Sequence, residues 1–425
     1  FIKMKAEPYL LNFHADFVSA KMDNSILFNK YQTVATNGNS FSNPELGAML
    51  TASLKDVLEN HQFTGGFRMP TNLAGFTYFL SYDNLKRRND WGITGVRMAS
   101  YFTYTKRYYQ LNNDIYTYFV PQSVLIFSNN NLLGKSVSSL LQGYWNHPFD
   151  KIQSLRTSLG FRNDNLNYKA SDSLSLLYTP ASNVNWLTGK VEYVFDNSKT
   201  ILKNIRLGYR YKFYVEFMNQ LNDQKGKLWN VGFDFRSYHK IYRNIIYAVR
   251  LAGAHSYGDH KICYFLGGVD NQISSNFNSN TTISTTNGFM FQSLVTNLRG
   301  YNQNGRNGDT YALMNAEVRI PITNTLMAYP SKLDFVRNLQ GILFCDAGSA
   351  WNGLLPDAIN DSKTFNASAN AVSTQFKIPW NGGLAVGMGA GLRTTLYGYF
   401  MRLDAAWNSD GGAKPVVYFS LGYDF

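Results

Sequence analysis

The chain has 425 residues and a net charge of +12, from 40 Lys and Arg against 28 Asp and Glu. Charged residues make up only 16%, against roughly 25% in ordinary soluble domains, whereas aromatic residues reach 16%, with 29 Tyr and 30 Phe. Mean hydropathy is slightly negative and no apolar run approaches the roughly 18 residues of a membrane helix, which excludes a helical membrane protein; no basic helix or aromatic–basic stacking motif points to nucleic acid as a partner.

A surface that is apolar on one side only reconciles these values, and strict alternation of apolar and polar residues supplies it. The alternation predicts strands near 8–18, 46–56, 61–70, 75–84, 91–106, 136–147, 153–163, 184–196, 201–216, 226–238, 243–256, 310–322, 339–350, 383–395, 398–408 and 416–425, about 16 in all, an even number as in bacterial single-chain barrels. Near the start Tyr9, Leu11, Phe13 and Phe17 oppose Asn12, His14 and Asp16. Leu155, Leu159 and Phe161 oppose Arg156, Ser158, Gly160 and Arg162. Ile205, Leu207, Tyr209, Tyr211, Phe213 and Val215 oppose Arg206, Gly208, Arg210, Lys212 and Tyr214, and Trp229, Val231, Phe233 and Phe235 oppose Asn230, Gly232, Asp234 and Arg236. Later, Leu384, Val386, Met388, Ala390 and Leu392 alternate with Ala385, Gly387, Gly389, Gly391 and Arg393; Tyr399, Met401, Leu403, Ala405 and Trp407 alternate with Phe400, Arg402, Asp404, Ala406 and Asn408. At the end Val417, Phe419, Leu421, Tyr423 and Phe425 share one face, and Tyr418, Ser420, Gly422 and Asp424 the other.

Connections alternate in length. Stretches 19–45, 107–135, 164–183, 257–309 and 351–382 are long, whereas Leu85–Arg88, His147–Asp150 and Asp196–Ser198 are short. Short turns belong on the periplasmic side and long loops outside; only 71–74 breaks the rule. The Asn- and Ser-rich composition of the long stretches, as in Ser274–Asn278, predicts solvent-exposed loops. The expected fold is therefore all-β, a transmembrane antiparallel β-barrel in a bacterial outer membrane, forming a single domain over residues 1–425. Aromatic residues near strand ends suit interfacial girdles. A soluble protein exposing such faces would aggregate.

Cys263 and Cys345 lie far apart without CxxC spacing, and the six histidines are scattered, so neither a disulfide nor a metal site is expected. No GxSxG, HExxH or Walker loop occurs; inward pairs such as Arg402 and Asp404 read as lumen-lining charges, and neither catalysis nor a cofactor is expected. The basic balance suits a surface that attracts lipopolysaccharide phosphates and other anions. The chain opens at Phe1 without a charged-then-apolar leader, which predicts either a removed signal peptide or, the favoured reading, the C-terminal piece of a longer polypeptide.

Three segments carry a more specific pattern: Leu266-Gly267-Gly268 followed after an insertion by Leu298-Arg299-Gly300-Tyr301, then Asn315-Ala316-Glu317-Val318-Arg319-Ile320-Pro321, then Phe344-Cys345-Asp346-Ala347-Gly348. In this order they resemble the barrel of the BamA/TamA superfamily of outer-membrane assembly and secretion proteins, the bacterial surface antigen domain. The Gly-rich strand ending at Arg393 and the terminal Phe419, Leu421, Gly422, Tyr423 and Phe425 fit the same family. The resemblance implies that Arg299, with Gly300 and Tyr301, folds from the sixth extracellular loop into the lumen and meets Asp346, flanked by Phe344 and Gly348, on the thirteenth strand. Ordering about fifty loop residues costs about 1–2 kcal/mol each, so such a loop needs an anchor, and a buried guanidinium–carboxylate pair is a strong one. Glu317 and Arg319 point inward on the next strand and extend that network. Two departures stand out, the insertion 271–297 and the lack of an N-terminal POTRA repeat. The segment Asn297–Gly308 also resembles Bacteroidota barrels that follow a TolB-like propeller.

The implied function is insertion or export of outer-membrane or surface proteins, with client outer-membrane proteins, periplasmic or lipoprotein partners and outer-membrane lipids around it. The competing readings are a barrel anchor for a periplasmic propeller or partner domain, and a passive porin.

Overall fold

The computed structural model describes residues 11–28, 30–34, 41, 43–71, 73, 75–111, 114–116, 127–169, 181–222, 226–279, 281, 283, 287–326, 332–356, 363–369, 372–378, 383–411 and 414–425. Among them, sixteen strands match the expected ones in order. They are β1 (Phe13–Asp23), β2 (Gly47–Asp56), β3 (His61–Pro70), β4 (Thr77–Asn84), β5 (Asp90–Leu111), β6 (Phe127–Pro148), β7 (Gln153–Lys169), β8 (Ser182–Asp196), β9 (Ile205–Gln220), β10 (Lys227–Tyr242), β11 (Ile245–Gly258), β12 (Thr310–Pro321), β13 (Gln340–Trp351), β14 (Ala385–Leu396), β15 (Tyr399–Asn408) and β16 (Val416–Leu421). The chain groups into two compact units.

The first unit holds Phe1–Asp23, Gly47–Pro148 and Arg156–Asn183. Its strands form an antiparallel meander in which β1 pairs with β2, β2 with β3, β3 with β4, β4 with β5 and β5 with β6. Strand β1 runs five residues later than the alternation places it, and Tyr9 lies outside the described residues. A bulge between Ala15 and Phe17 shifts the register and so resets the period-2 phase that the sequence reading followed. Strands β5 and β6 each have 22 residues, roughly twice the 9–11 that cross a bilayer. Much of the expected loop 107–135 is therefore strand.

The second unit holds Asn24–Leu46, Phe149–Leu155 and Val184–Phe425. Strands β8 to β16 pair antiparallel, each with the next. Here the alternation is visible as burial. Along β10, Leu228, Asn230 and Asp234 are buried while Trp229, Val231 and Phe233 are exposed. On β15, Arg402, Asp404 and Ala406 are buried while Leu403 and Trp407 are exposed. One face is thus polar and covered from within, and the other apolar and bare.

What covers the inner face is a small mixed sheet. Lys261–Leu266 pairs parallel with Phe289–Val295 and antiparallel with Arg306–Gly308, and Gln32–Thr33 from the first long loop adds to the far edge. One side of this sheet, with Ile262, Tyr264, Leu266, Phe291 and Val295, packs into a core with Trp186, Tyr214, Met218, Leu228 and Tyr311 of the wall. The other side, with Cys263 and Phe265, packs with Phe41, Phe277, Phe289 and Leu294. Within the insertion 271–297, Ser274 and Asn276 are exposed as the composition predicted, whereas 291–297 is largely buried, and the apolar minority Phe277, Phe289, Phe291 and Leu294 packs it. Stretch 351–382 is likewise not structureless, since Lys363–Ala369 and Val372–Ile378 form a hairpin. Two short helices, Ile322–Leu326 and Asp334–Arg337, lie between β12 and β13.

The end of the chain also departs from expectation. Strand β16 stops at Leu421 rather than running to Phe425. Gly422 has φ of +106°, a conformation that turns the chain out of the strand. Phe419 and Tyr423 stay exposed, but Phe425 swings inward and packs against Ile205, Tyr238, Ile246 and Ala248.

Candidate functional site: an arginine-anchored interior loop

Leu298-Arg299-Gly300-Tyr301 forms a buried turn of the interior segment. Leu298 N–H donates to Gly268 O at 3.2 Å and Gly268 N–H to Tyr301 O at 2.9 Å, so the Leu-Gly-Gly segment brackets the turn. Gly300 sits at φ of +96°, which a side chain adopts only with strain. A Cβ there would also lie 2.8 Å from Trp407 O.

The turn aims Arg299 at β12, β13 and β15. Its Nε donates to Asp346 Oδ2 at 2.6 Å and its Nη2 to Oδ1 at 2.8 Å, a two-point fit of planar guanidinium to carboxylate. The Arg299 main-chain N–H donates to the same carboxylate at 3.1 Å, and Asn315 Nδ2 adds a bond at 2.8 Å. Glu317 Oε1 lies 2.8 Å from Arg299 Nη2, and the guanidinium stacks 3.6 Å from the Phe344 ring centroid. Arg299 is 2% exposed and Asp346 0%. Phe344, Asp346 and Gly348 stand at alternate positions on one face of β13, so one strand supplies the ring, the counter-charge and the gap. A Cβ on Gly348 would come within 3.3 Å of Leu266 of the interior sheet.

The anchor belongs to a longer chain of buried charges. Glu317 pairs with Arg319 at 2.8 Å, and Arg319 donates to Asn204 O at 3.1 Å and Phe425 O at 3.0 Å. Asp404, 4.0 Å from Arg299, pairs with Arg393 at 2.8 Å, and Arg393 with Asp424 at 2.9 Å. Arg402 reaches Asp424 at 3.4 Å. Arg299, Arg319, Arg393 and Arg402 thus face Glu317, Asp346, Asp404 and Asp424 in equal number. Close pairing of opposite charges is a condition under which buried ions are tolerated.

Sequence reasoning placed Arg299, Gly300, Tyr301, Phe344, Asp346, Gly348, Glu317 and Arg319, and the structure brings them together. Of the terminal group, Phe425 reaches this network through its main chain, whereas Phe419, Leu421 and Tyr423 do not. Four contributors were missed. Tyr418 Oη accepts from Gly300 N–H at 2.9 Å and donates to Tyr301 O at 2.8 Å. Asn408 Nδ2 donates to Gly300 O at 2.8 Å. Arg306, one turn on, pairs with Asp410 at 3.0 Å and donates to Gly383 O at 3.2 Å. Gly387 lies directly beneath the loop, where a Cβ would meet Arg299 O at 1.6 Å. Only the run Gly387-x-Gly389-x-Gly391 was a signal, a bare lane on an inner strand face. Tyr418→Phe removes both an acceptor and a donor, an expected cost of about 1–3 kcal/mol to the docked turn. Limited proteolysis should then cut the 259–309 segment earlier than in the parent protein.

The Omp85 superfamily domain matches residues 145–425 of the sequence. The chain belongs to the Omp85 superfamily. Among solved structures this Omp85 chain is similar to BamA from Haemophilus ducreyi lacking POTRA domains 1–3, with 12% identity, a TM-score of 0.54, and coverage of 96% of this chain and 70% of that one. It is also similar to CdiB from Escherichia coli, with 10% identity, a TM-score of 0.50, and coverage of 99% and 68%. A sequence search of curated proteins finds no match. The protein is an outer-membrane β-barrel of this superfamily of protein assembly and translocation barrels, and the bare apolar faces of its strands are its lipid surface.

The two cysteines report on the two sides of the wall. Cys345 is exposed, on the opposite face of β13 from Asp346, whereas Cys263 is buried in the interior sheet, where burial pushes its thiol well up. Thiolate is the reactive form. In native membranes both thiols, one facing lipid and one buried, should resist a water-soluble maleimide until the chain is unfolded, and labelling of Cys263 before unfolding would contradict its placement.

Proposed function

We propose that this Omp85 barrel inserts or exports outer-membrane or surface proteins, and that residues 257–309 are the plug of a single barrel domain spanning 1–425. The supporting observation is the plug itself: a folded interior sheet packed on the wall and fastened by a buried ion cluster centred on Arg299 and Asp346. A passive porin gains nothing from a lumen filled this way. A barrel that only anchors a neighbour gains nothing from concentrating eight matched charges where the loop touches the wall. In this reading the clients are unfolded outer-membrane or surface proteins, the helpers are periplasmic or lipoprotein partners, and lipopolysaccharide surrounds the basic exterior.

Co-purification from outer membranes in mild detergent tests it. Trapped outer-membrane or surface proteins, reduced in yield by Arg299→Ala, are the expected result. A preparation free of such clients that conducts ions steadily in planar bilayers would overturn the reading in favour of a porin.

A further inference from the structure

The far edge of the interior sheet holds a piece of the first long loop. Gln32–Thr33 pairs antiparallel with Phe291 and Gln292, and Val34 N–H donates to Met290 O at 2.9 Å. Beside this two-residue strand Tyr31 enters a polar pocket of the wall. Its hydroxyl donates to the Glu216 carboxylate and accepts from Asn230 Nδ2 at 2.9 Å. Asn230 also donates to Glu216 at 2.7 Å, and Tyr264 Oη donates to Asn230 Oδ1 at 2.7 Å. Lys190 lies 3.3 Å from the other Glu216 oxygen. Burial, and then the Glu216 charge, hold the Tyr31 hydroxyl well above its ordinary range, so it stays a donor.

Two features mark this as a binding edge with a built-in occupant rather than plain packing. Phe289–Val295 offers seven residues, whereas the occupant strand has two among the described residues. Among the described residues, Gln292 Oε1 and Ser293 Oγ on that strand, and Trp186 Nε1 beside it, are buried without a hydrogen-bond partner. Hydrogen-bonding capacity is thus in place that the occupant leaves unused, and a buried polar atom without a partner costs free energy until something fills it.

We propose that the Phe289–Val295 edge with the Tyr31 pocket is a strand-accepting site for an extended polypeptide bearing a phenolic side chain, and that the Tyr31–Val34 segment is its resident, displaced when such a chain enters. Main-chain pairing supplies affinity for any extended segment, and the Glu216–Asn230 pocket selects a hydroxyl donor, as strand addition at an open sheet edge generally works. This rests on the translocation reading, because it names what a passing chain would touch.

The test uses the full chain in detergent and a fluorescent peptide of residues 28–36. A variant with Tyr31→Ala, Gln32→Gly and Thr33→Gly should bind the peptide saturably and at least about tenfold more tightly than the parent. The same peptide with Ala in place of its tyrosine should bind about tenfold more weakly, the effect of one lost hydrogen bond to a buried carboxylate. Should the triple variant fail to fold, Gln32→Cys with Gln292→Cys in the otherwise native chain gives a second reading: the oxidised form should exclude the peptide and the reduced form admit it. Equal binding by parent and variant, no saturable binding to a folded variant, or no difference between oxidised and reduced forms would overturn the proposal. A protein that binds the peptide but handles no client would leave the site standing and remove the translocation reading; client insertion without peptide binding would do the reverse.

Discussion

Arg299→Ala is expected to release the interior loop and to lower the amount of assembled barrel. Removing one partner from a buried ion pair costs about 3–5 kcal/mol, because the other charge is left without compensation. Here Asp346 would retain only Asn315 Nδ2 and the Arg299 main-chain N–H, and Glu317 would keep Arg319 alone. The site's net charge would fall from balance to minus one in a region with almost no water access. Arg299→Lys should rescue little, since an ammonium has neither the two-point fit to Asp346 nor a planar face for Phe344. Seminative gel mobility, trypsin protection of the 259–309 segment, and barrel yield are the measurements. The pair is isolated by a cycle with Asp346→Ala: the double variant should be less impaired than the sum of the two single ones. Additive losses, or wild-type mobility and protection in both single variants, would mean that Arg299 and Asp346 do not act as a unit.

The wall of this protein was legible because a strand with one lipid face must alternate, and the rule is local. It failed where local rules are suspended. At Ala15–Phe17 a bulge resets the phase; at Gly422 a positive φ ends β16 and sends Phe425 inward. Strands β5 and β6 are about twice the length a bilayer crossing needs, and beyond that length no lipid enforces alternation, so 107–111 and 127–135 read as loop. The anchor was legible only through resemblance: nothing in the sequence brings Arg299 beside a carboxylate 47 residues away. The first long connection was read as a loop, and its contact with the interior sheet was not foreseen. Tyr31 and Glu216 lie 185 residues apart, and a polar stretch that folds by donating one tyrosine and two strand residues carries no periodic signal at all.

Gly387 carries the other large expected effect, and its sign separates two accounts of the glycine lane on β14. If Gly387 were an ordinary strand glycine, replacing it by alanine would gain roughly 0.5–1 kcal/mol, because glycine loses more backbone freedom on ordering than alanine does. The geometry predicts the opposite. A Cβ at Gly387 would lie 1.6 Å from Arg299 O and 2.8 Å from Arg299 C, against main-chain atoms that cannot rotate away. Either β14 shifts or the Arg299 turn lifts off, and the turn is the part with freedom to move. Gly387→Ala should therefore undock the loop, and Gly387→Val more so, with barrel pairing of β14 kept. The effect should approach that of Arg299→Ala, since the same guanidinium loses the same carboxylate: roughly 3–5 kcal/mol against the docked state. Gly95→Ala is the control, for a Cβ there meets only the Leu141 side chain, at 4.0 Å, and should leave protection unchanged or slightly improved. Protease protection of 259–309 and ion conductance across a bilayer read the outcome directly. A Gly387→Ala barrel as closed and as protease-resistant as the parent would mean that the loop does not lie on the lane, and the anchor built around Arg299 would have to be abandoned with it.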